Sequence, residues 1–170
     1  MPHFSFANSL QSLPASFDPF ATARAWADWR LAAKQAQLEC CADNKKIIEA
    51  VANDESATAL LDVLFGNSPY LTSQVIREVM FICELLQNGP DTMFSSILSG
   101  LTIKPKETIN ALGIPENNTQ ENSVKIGKVL RIAKRQAALT IAIADIANVW
   151  SLAQVTEALS DFAEKALDMA

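Results

Sequence analysis

The sequence predicts an all-α fold, a multi-helix bundle with two long C-terminal helices and no β-sheet. Three observations support this prediction. Apolar residues recur three and four positions apart along most of the chain. Helix start signals such as Asp18-Pro19 precede these runs. No segment alternates apolar and polar residues as a half-buried strand would. With 170 residues, 49% of them hydrophobic, the chain is long enough to bury a sizeable core.

The first helix is predicted to begin at Asp18, which caps it, and to run to about Cys41. Pro19 occupies the first helical position, where its fixed backbone angle suits a helix. Residues 1–17 lack a period and are expected to form an N-terminal arm. One stripe of this helix holds four apolar residues with three more beside it, so it should pack on at least two neighbours. These residues are Phe20, Ala23, Ala27 and Leu31, then Trp26, Trp29 and Ala33.

The next three helices are defined by their capping residues. Asn44 and Asp54 are each expected to cap a short apolar helix. Gly66 is expected to end the second of these in the left-handed conformation that glycine favours. Ser68 then caps a helix with Pro69 in its first turn. The apolar spacing of that helix continues until Gly89-Pro90, through Leu71, Val75, Val79, Ile82 and Leu86.

The second half is predicted to contain two short helices, over residues 92–101 and 104–112, and two long ones. Residues 116–123 are polar and rich in Asn, which predicts a loop. A long helix follows to about Val149, and the capping box Ser151-Leu152-Ala153-Gln154 starts the last helix. The predicted organisation is therefore an arm over 1–17, a helical subdomain over 18–115, the loop 116–123, and two helices over 124–170 that pack on the first part as a single compact unit.

Charge and cysteine content exclude several classes of protein. The 14 basic and 19 acidic residues give a net charge of −5, which disfavours nucleic-acid binding because that function usually needs a strongly basic face. No run approaches the length of a membrane span, and the first residues lack a signal-peptide pattern. The 3 cysteines form neither a disulfide framework nor a zinc-binding spacing. We expect a cytoplasmic protein that binds neither membranes nor nucleic acids.

Residues that carry chemistry are scarce. The single histidine, His3, lies in the predicted arm, where the fixed partners of a catalytic base or metal ligand are rarely available. The aspartates are scattered without a D-x-D pair, and no glycine-rich phosphate loop is present. The sequence therefore predicts no catalytic residue, no cofactor-binding residue and no metal site in this chain.

One charge cluster stands out in the long helix. Five basic residues there, Lys125, Lys128, Arg131, Lys134 and Arg135, cover about half of its circumference at 100° per residue. They form either an electropositive interface for an acidic partner, a neighbouring domain or a nucleotide phosphate, or a solvated helix face. Asp145 lies near the same face and is expected either to pair with a base or to be exposed.

Four segments carry a resemblance to a known family. The turn Phe65-Gly66-Asn67-Ser68-Pro69-Tyr70-Leu71 precedes Arg77-Glu78. The long helix matches the family pattern at Leu130, Arg131, Arg135, Leu139, Ile141, Ala142, Asp145 and Ala147, and the fourth segment runs from Ser151 to Ala163. Over residues 55–90 and 125–168 the chain resembles the N-terminal region of glutamine synthetase adenylyltransferase/adenylyl-removing enzymes. It departs at Thr140, Ile143 and Ala144, where many members carry Arg, Trp and Arg.

The resemblance implies a function for the parent polypeptide. Such enzymes are long chains in which two nucleotidyltransferase domains sit among helical segments and use Mg²⁺ with ATP or ADP. One half removes AMP from a tyrosine of glutamine synthetase by phosphorolysis, the other adds it, and PII-type signal proteins set the balance that regulates nitrogen assimilation. This chain would then be the N-terminal scaffold of the deadenylylating half, truncated before the nucleotidyltransferase domain and inactive alone.

The implied partners are the downstream catalytic domain of the same polypeptide, glutamine synthetase and a PII-type protein. A second hypothesis stays open at this point. The wide apolar faces of the first helix and the long helix could make the chain a free-standing all-α interaction module that forms a homodimer or a partner groove.

Overall fold

The computed structural model describes residues 13–39, 41–102 and 119–169. Within these ranges the chain forms eight α-helices and no strand, which confirms the all-α prediction. The helices are α1 Pro19–Glu39, α2 Ala42–Asn53, α3 Glu55–Asn67, α4 Pro69–Arg77, α5 Val79–Asn88, α6 Pro90–Thr102, α7 Thr119–Ile146 and α8 Leu152–Met169. The last two are the predicted pair of long C-terminal helices. The predicted helix over 104–112 and residue His3 lie outside the described residues.

Three of the predicted helix starts are confirmed by hydrogen bonds. The Asp18 carboxylate accepts from the backbone N–H groups of Phe20 and Ala21, both at 2.9 Å. Asp54 accepts from an N–H in the first turn of α3. Ser151 and Gln154 bond reciprocally, as a capping box requires.

The predicted Asn44 cap is wrong. Helix α2 begins at Ala42, two residues earlier, with Cys41 in the cap position and no side-chain capping bond. The helix can begin before Asn44 because asparagine, although a weak helix former, does not interrupt the backbone hydrogen bonding of a helix.

The segment between Ser68 and Gly89 forms two helices where one continuous helix was expected. Helices α4 and α5 meet at Glu78, whose backbone angles are φ −112° and ψ 42°. No glycine or proline marks this break, and the apolar spacing passes through it unchanged. Gly89 ends α5 with φ 83°, as its position before Pro90 predicted.

The long helix differs from its predicted bounds at the N-terminal end. Helix α7 begins at Thr119, so positions 119–123 of the predicted loop 116–123 are helical, while 116–118 lie outside the described residues. Residues 119–123 contain neither glycine nor proline, and an existing helix adds such residues at little cost. At the other end, Asn148 takes φ 53° and the Val149 N–H donates to the Ala144 carbonyl at 2.9 Å. This Schellman motif closes the helix.

The core-facing side of α1 is not the stripe that the sequence suggested. Ala25, Trp29 and Ala33 are buried, and α1 packs through them on α3, α4, α5 and α2. The stripe of Phe20, Ala23, Ala27 and Leu31 is exposed. Both sides of α1 are apolar, so the helical period alone could not decide between them. The large area of the tryptophan favours its burial.

Helix α7 is packed against α6, α8, α4 and α5, and contributes six of the buried core residues. These residues are Ala133, Ala137, Leu139, Ile141, Ile143 and Ala144. The connection from α7 to α8 is anchored on α6 through Trp150, whose Nε1–H donates to Asp91 at 2.9 Å. The Trp150 ring also meets Phe94 edge to face at 5.5 Å. The division of the chain into domains stays a prediction.

Among the described helices, none is both long enough and apolar enough to cross a membrane.

Candidate functional site

Residues 66–69, the α3–α4 corner, do not form the turn that was predicted. Gly66 lies inside α3, which continues through Asn67, so the expected left-handed helix end at Gly66 is wrong. Gly66 is needed instead because neighbouring side chains pack closely against its backbone. A Cβ built on Gly66 would lie 1.9 Å from Ser16 Oγ and 2.8 Å from Thr22 Oγ1. Only glycine leaves room for the chain that enters α1.

The α3–α4 corner also binds neighbouring backbone through Asn67 and the Gly66 carbonyl. The Asn67 amide accepts from the Phe17 N–H at 3.1 Å and donates to the Ala15 carbonyl at 3.0 Å. The Asp18 N–H donates to the Gly66 carbonyl at 3.2 Å. Ser68 caps α4 by accepting from the Leu71 N–H, and Pro69 takes the first helical position, as predicted. The described end of the predicted arm, residues 13–17, is therefore fastened to the end of α3.

A second contact joins two segments that carry the family resemblance. Arg135 on α7 meets Glu78 at the α4–α5 break, with Nη2 at 2.7 Å and Nε at 2.9 Å from Oε1. Gln136 adds a longer bond to Oε2 at 3.4 Å. The two charged side chains are only 23% and 13% exposed. Charge-assisted bonds in such a sheltered place fix geometry more firmly than a surface ion pair does.

The remaining basic residues of α7 form an exposed surface, which we call the basic face: Lys128, Arg131 and Lys134. Successive members are about 60° apart around the helix and rise about 4.5 Å each. In the part of the chain that the structure describes, none of the three has an acidic partner. Arg135 lies on the same helix but is not part of the basic face, because its side chain is paired with Glu78. The Lys125 side chain lies outside the described residues.

Asp145 is exposed and does not complete a pair with the basic face. It stands about 20° from Lys134 around α7 but about 16 Å farther along the axis. Of the two outcomes expected for Asp145, the structure gives exposure. Asp145 therefore does not neutralise the basic face.

The described residues do not bring together the carboxylates that the implied metal ion needs. They contain no group of three or more His, Cys, Asp or Glu side chains placed to hold a metal ion, so they do not fit the Mg²⁺ that the family implies. Cys83 is buried, and burial, followed by the nearby charge of Glu84, raises the pKa of its thiol to about 12. That thiol stays neutral and unreactive near neutral pH.

Open grooves on the surface are lined mainly by apolar side chains. The one between α5, α6 and α7 has a volume of about 410 Å³, and its polar lining includes Glu84 and Gln136. The described residues that line it include no lysine, arginine, histidine or cysteine. The site residues hold neighbouring helices together and leave a basic surface exposed.

Sequence reasoning missed the partner of Arg135 and the true inner face of α1. Glu78 was visible only as a member of a family element, because a contact across 57 positions leaves no local signal. The positions where the chain departs from the family, Thr140, Ile143 and Ala144, are all fully buried. In this chain they belong to the core between the helices.

Comparison with known proteins gives consistent results. The profile of the glutamate-ammonia ligase adenylyltransferase family matches residues 58–170. A bifunctional glutamine synthetase adenylyltransferase/adenylyl-removing enzyme of Rhodopseudomonas palustris strain TIE-1 is 29% identical over 159 residues, which is 92% of this chain and 14% of the relative. The enzyme of the same name from Caulobacter vibrioides is 30% identical over 126 residues, 74% of this chain and 12% of the relative. One from Bradyrhizobium sp. strain BTAi1 is 35% identical over 61% of this chain and 9% of the relative. No solved structure matches the chain.

Proposed function

This chain belongs to the glutamate-ammonia ligase adenylyltransferase family, and from that premise we propose that it is the N-terminal helical scaffold of such an enzyme. In this proposal it supports the deadenylylating nucleotidyltransferase half and takes no part in the chemistry itself. The chain spans about 14% of the length of the curated relatives it matches. The activity, substrates and partners of the whole enzyme are therefore part of the proposal.

One observation carries the scaffold role. The matched residues that the structure describes pack as helices around a continuous apolar core, and they contain no group of three or more His, Cys, Asp or Glu side chains that could hold a metal ion. Nucleotidyl transfer needs clustered carboxylates that hold Mg²⁺ against the developing phosphoryl charge. We therefore place Mg²⁺ and ATP or ADP elsewhere in the polypeptide.

The α3–α4 corner and the Glu78–Arg135 pair support a positioning role. Both fasten elements that are far apart in the sequence, and both lie in the segments that resemble the family. The basic face of Lys128, Arg131 and Lys134, with Asp145 beyond it, is proposed as the surface that docks an acidic patch of the catalytic domain or of glutamine synthetase. A PII-type protein would act on the whole enzyme, and the enzyme would work in the cytoplasm.

The test compares two polypeptides. The gene is read past codon 170, and the longer product and residues 1–170 are each incubated with adenylylated glutamine synthetase, Mg²⁺ and phosphate. The proposal predicts release of ADP by the longer product and none by the 170-residue chain. Turnover by the short chain would refute the scaffold role.

The comparisons lend no support to the second hypothesis, the free-standing interaction module. The same experiment addresses it directly. A gene that stops after codon 170, with a product that forms a stable dimer, would favour the module over the scaffold.

A further inference from the structure

The outward side of α1 carries a row of apolar side chains in contact with solvent. We call this row the α1 ridge; it consists of Phe20, Ala27, Leu31 and Leu38. The three large members are 87%, 76% and 72% exposed, and Phe17, just before the helix, is 89% exposed. Soluble monomers rarely expose apolar residues in a contiguous row of this kind, which is more typical of an interaction surface.

The α1 ridge is not part of the core that α1 helps to form. Phe20 and the buried Trp29 are nine positions apart, which places them about 180° apart around the helix. The ridge extends from Phe20 to Leu38, a length of about 27 Å at 1.5 Å per residue. That length matches the side of a five-turn helix, and a partner helix laid along it would contact every member.

The charges around the α1 ridge indicate the chemistry of its occupant. Arg24 and Lys34 are exposed between the apolar members, and Arg30 lies over the Trp26 ring at 5.6 Å from its centroid. Asp18, which caps the helix, and Asp28 are exposed acidic residues nearby, so the described basic residues remain in excess. An occupant with apolar residues flanked by acidic ones would meet this pattern favourably.

A second copy of the chain matches this surface less well than an acidic helix does. Antiparallel pairing of two ridges about Trp29 sets Arg24 opposite Lys34, and parallel pairing sets Arg24 opposite Arg24. The antiparallel pairing also sets Asp28 level with Arg30, which offsets part of the repulsion between these like charges, whereas an acidic partner would meet all of the basic residues with opposite charge.

We propose that the α1 ridge docks an amphipathic helix with acidic flanks, supplied by the part of the polypeptide that lies outside the matched region. The matched region is 14% of the Rhodopseudomonas palustris relative, so most of that enzyme is available to supply such a helix. The inference rests on the proposed function, because it requires a longer polypeptide. To that function the inference adds the surface through which the scaffold would hold the rest of the longer polypeptide.

The experiment measures how fast a cysteine on the α1 ridge reacts with a maleimide. Leu38→Cys is introduced with Cys41→Ser, since Cys41 is itself exposed, in both the 170-residue chain and the longer gene product. Peptide mass spectrometry identifies the labelled position. We expect labelling at position 38 to be at least 10-fold slower in the longer product. Lys46→Cys on α2, whose native side chain is 76% exposed, is the matched control and should react equally fast in both.

A charge reversal tests the acidic flank. In the longer product, Arg24→Glu with Lys34→Glu should restore most of the labelling rate at position 38, whereas Arg24→Lys should leave it slow. Circular dichroism checks that each variant stays helical, which the exposure of these positions makes the expected result.

Several outcomes would overturn the inference. Equal rates at position 38 in the two products, with AMP transfer intact, would remove the ridge proposal and leave the proposed function standing. Protection that already exists in the short chain, or that rises with its concentration, would assign the ridge to this chain itself or to a second copy. A gene that ends at codon 170 would refute both proposals together.

Discussion

The substitution Gly66→Ala sets two physical effects against each other. In a helix interior, alanine is favoured over glycine by about 0.8–1 kcal/mol, so helix propensity alone predicts a more stable chain. The structure predicts the reverse. The new Cβ would lie 1.9 Å from Ser16 Oγ and 3.0 Å from Ser16 Cβ, far inside van der Waals contact.

The magnitude follows from what must move. Overpacking of this kind costs about 1–3 kcal/mol. Displacing Ser16 also breaks its 2.9 Å hydrogen bond to Thr22, which contributes about 1 kcal/mol. After subtracting the helix gain of about 1 kcal/mol, Gly66→Ala should lower the free energy of unfolding by about 1–3 kcal/mol. For a chain of this size that is a Tm lower by roughly 2–12 °C.

Urea unfolding followed by circular dichroism measures the change. Gly100→Ala is the control, because Gly100 lies in α6 with nothing within 4 Å of its built Cβ, and it should raise stability. In a Ser16→Ala background, where the Oγ is gone, the cost of Gly66→Ala should fall by about 1 kcal/mol. If Gly66→Ala stabilises the chain as much as Gly100→Ala does, the close-packing argument is wrong.

Three further predictions concern other contacts. Arg135→Met leaves a sheltered carboxylate without its cation and should lower the free energy of unfolding by ~2 kcal/mol in urea titrations. The buried Cys83 thiol keeps its proton while the unfolded one loses it above pH 9.0, so stability should fall by about 1.4 kcal/mol per pH unit between pH 9.0 and about 12. Asn67→Ala removes the acceptor for the Phe17 amide, which should exchange faster with deuterium.

Each of these has a matched comparison. The exposed Lys134→Met should change stability by less than about 0.5 kcal/mol, and an equal loss for both variants would show that the Arg135 pair is not stabilising. Cys83→Ala should flatten the alkaline decline, and an unchanged slope would assign it to other groups. Asn67→Asp keeps the acceptor oxygen, so the Phe17 amide should still exchange slowly with deuterium in that variant. Fast exchange there would count against the hydrogen bond from the Phe17 N–H to residue 67.

Local signals in the sequence predicted the helices well. The caps at Asp18, Asp54, Ser68 and Ser151 are confirmed because each depends on a bond within three residues along the chain. The same logic failed at Gly66, because glycine serves equally well at a helix end and at a close contact, and only the tertiary structure separates the two roles.

Contacts between distant segments were beyond the reach of local patterns. The orientation of α1 could not be deduced because apolar residues occupy two opposite sides of it, and packing with other helices decided which side was buried. The break between α4 and α5 at Glu78 could not be predicted from the sequence either. No glycine or proline stands at this break, and the apolar spacing continues across it. The candidate site was therefore foreseen as a set of motifs, but the way that these motifs meet was not.

The pairing of Glu78 with Arg135 constrains how the sequence of this chain can change over time. A mutation that neutralises one partner leaves the other as an uncompensated charge in a sheltered position, so a change at either position alone should lower stability. Loss of the two charges together, by contrast, removes that penalty. Homologues should accordingly keep both residues or replace both. Such covariation in an alignment would show that these helices meet at this pair in the relatives as well.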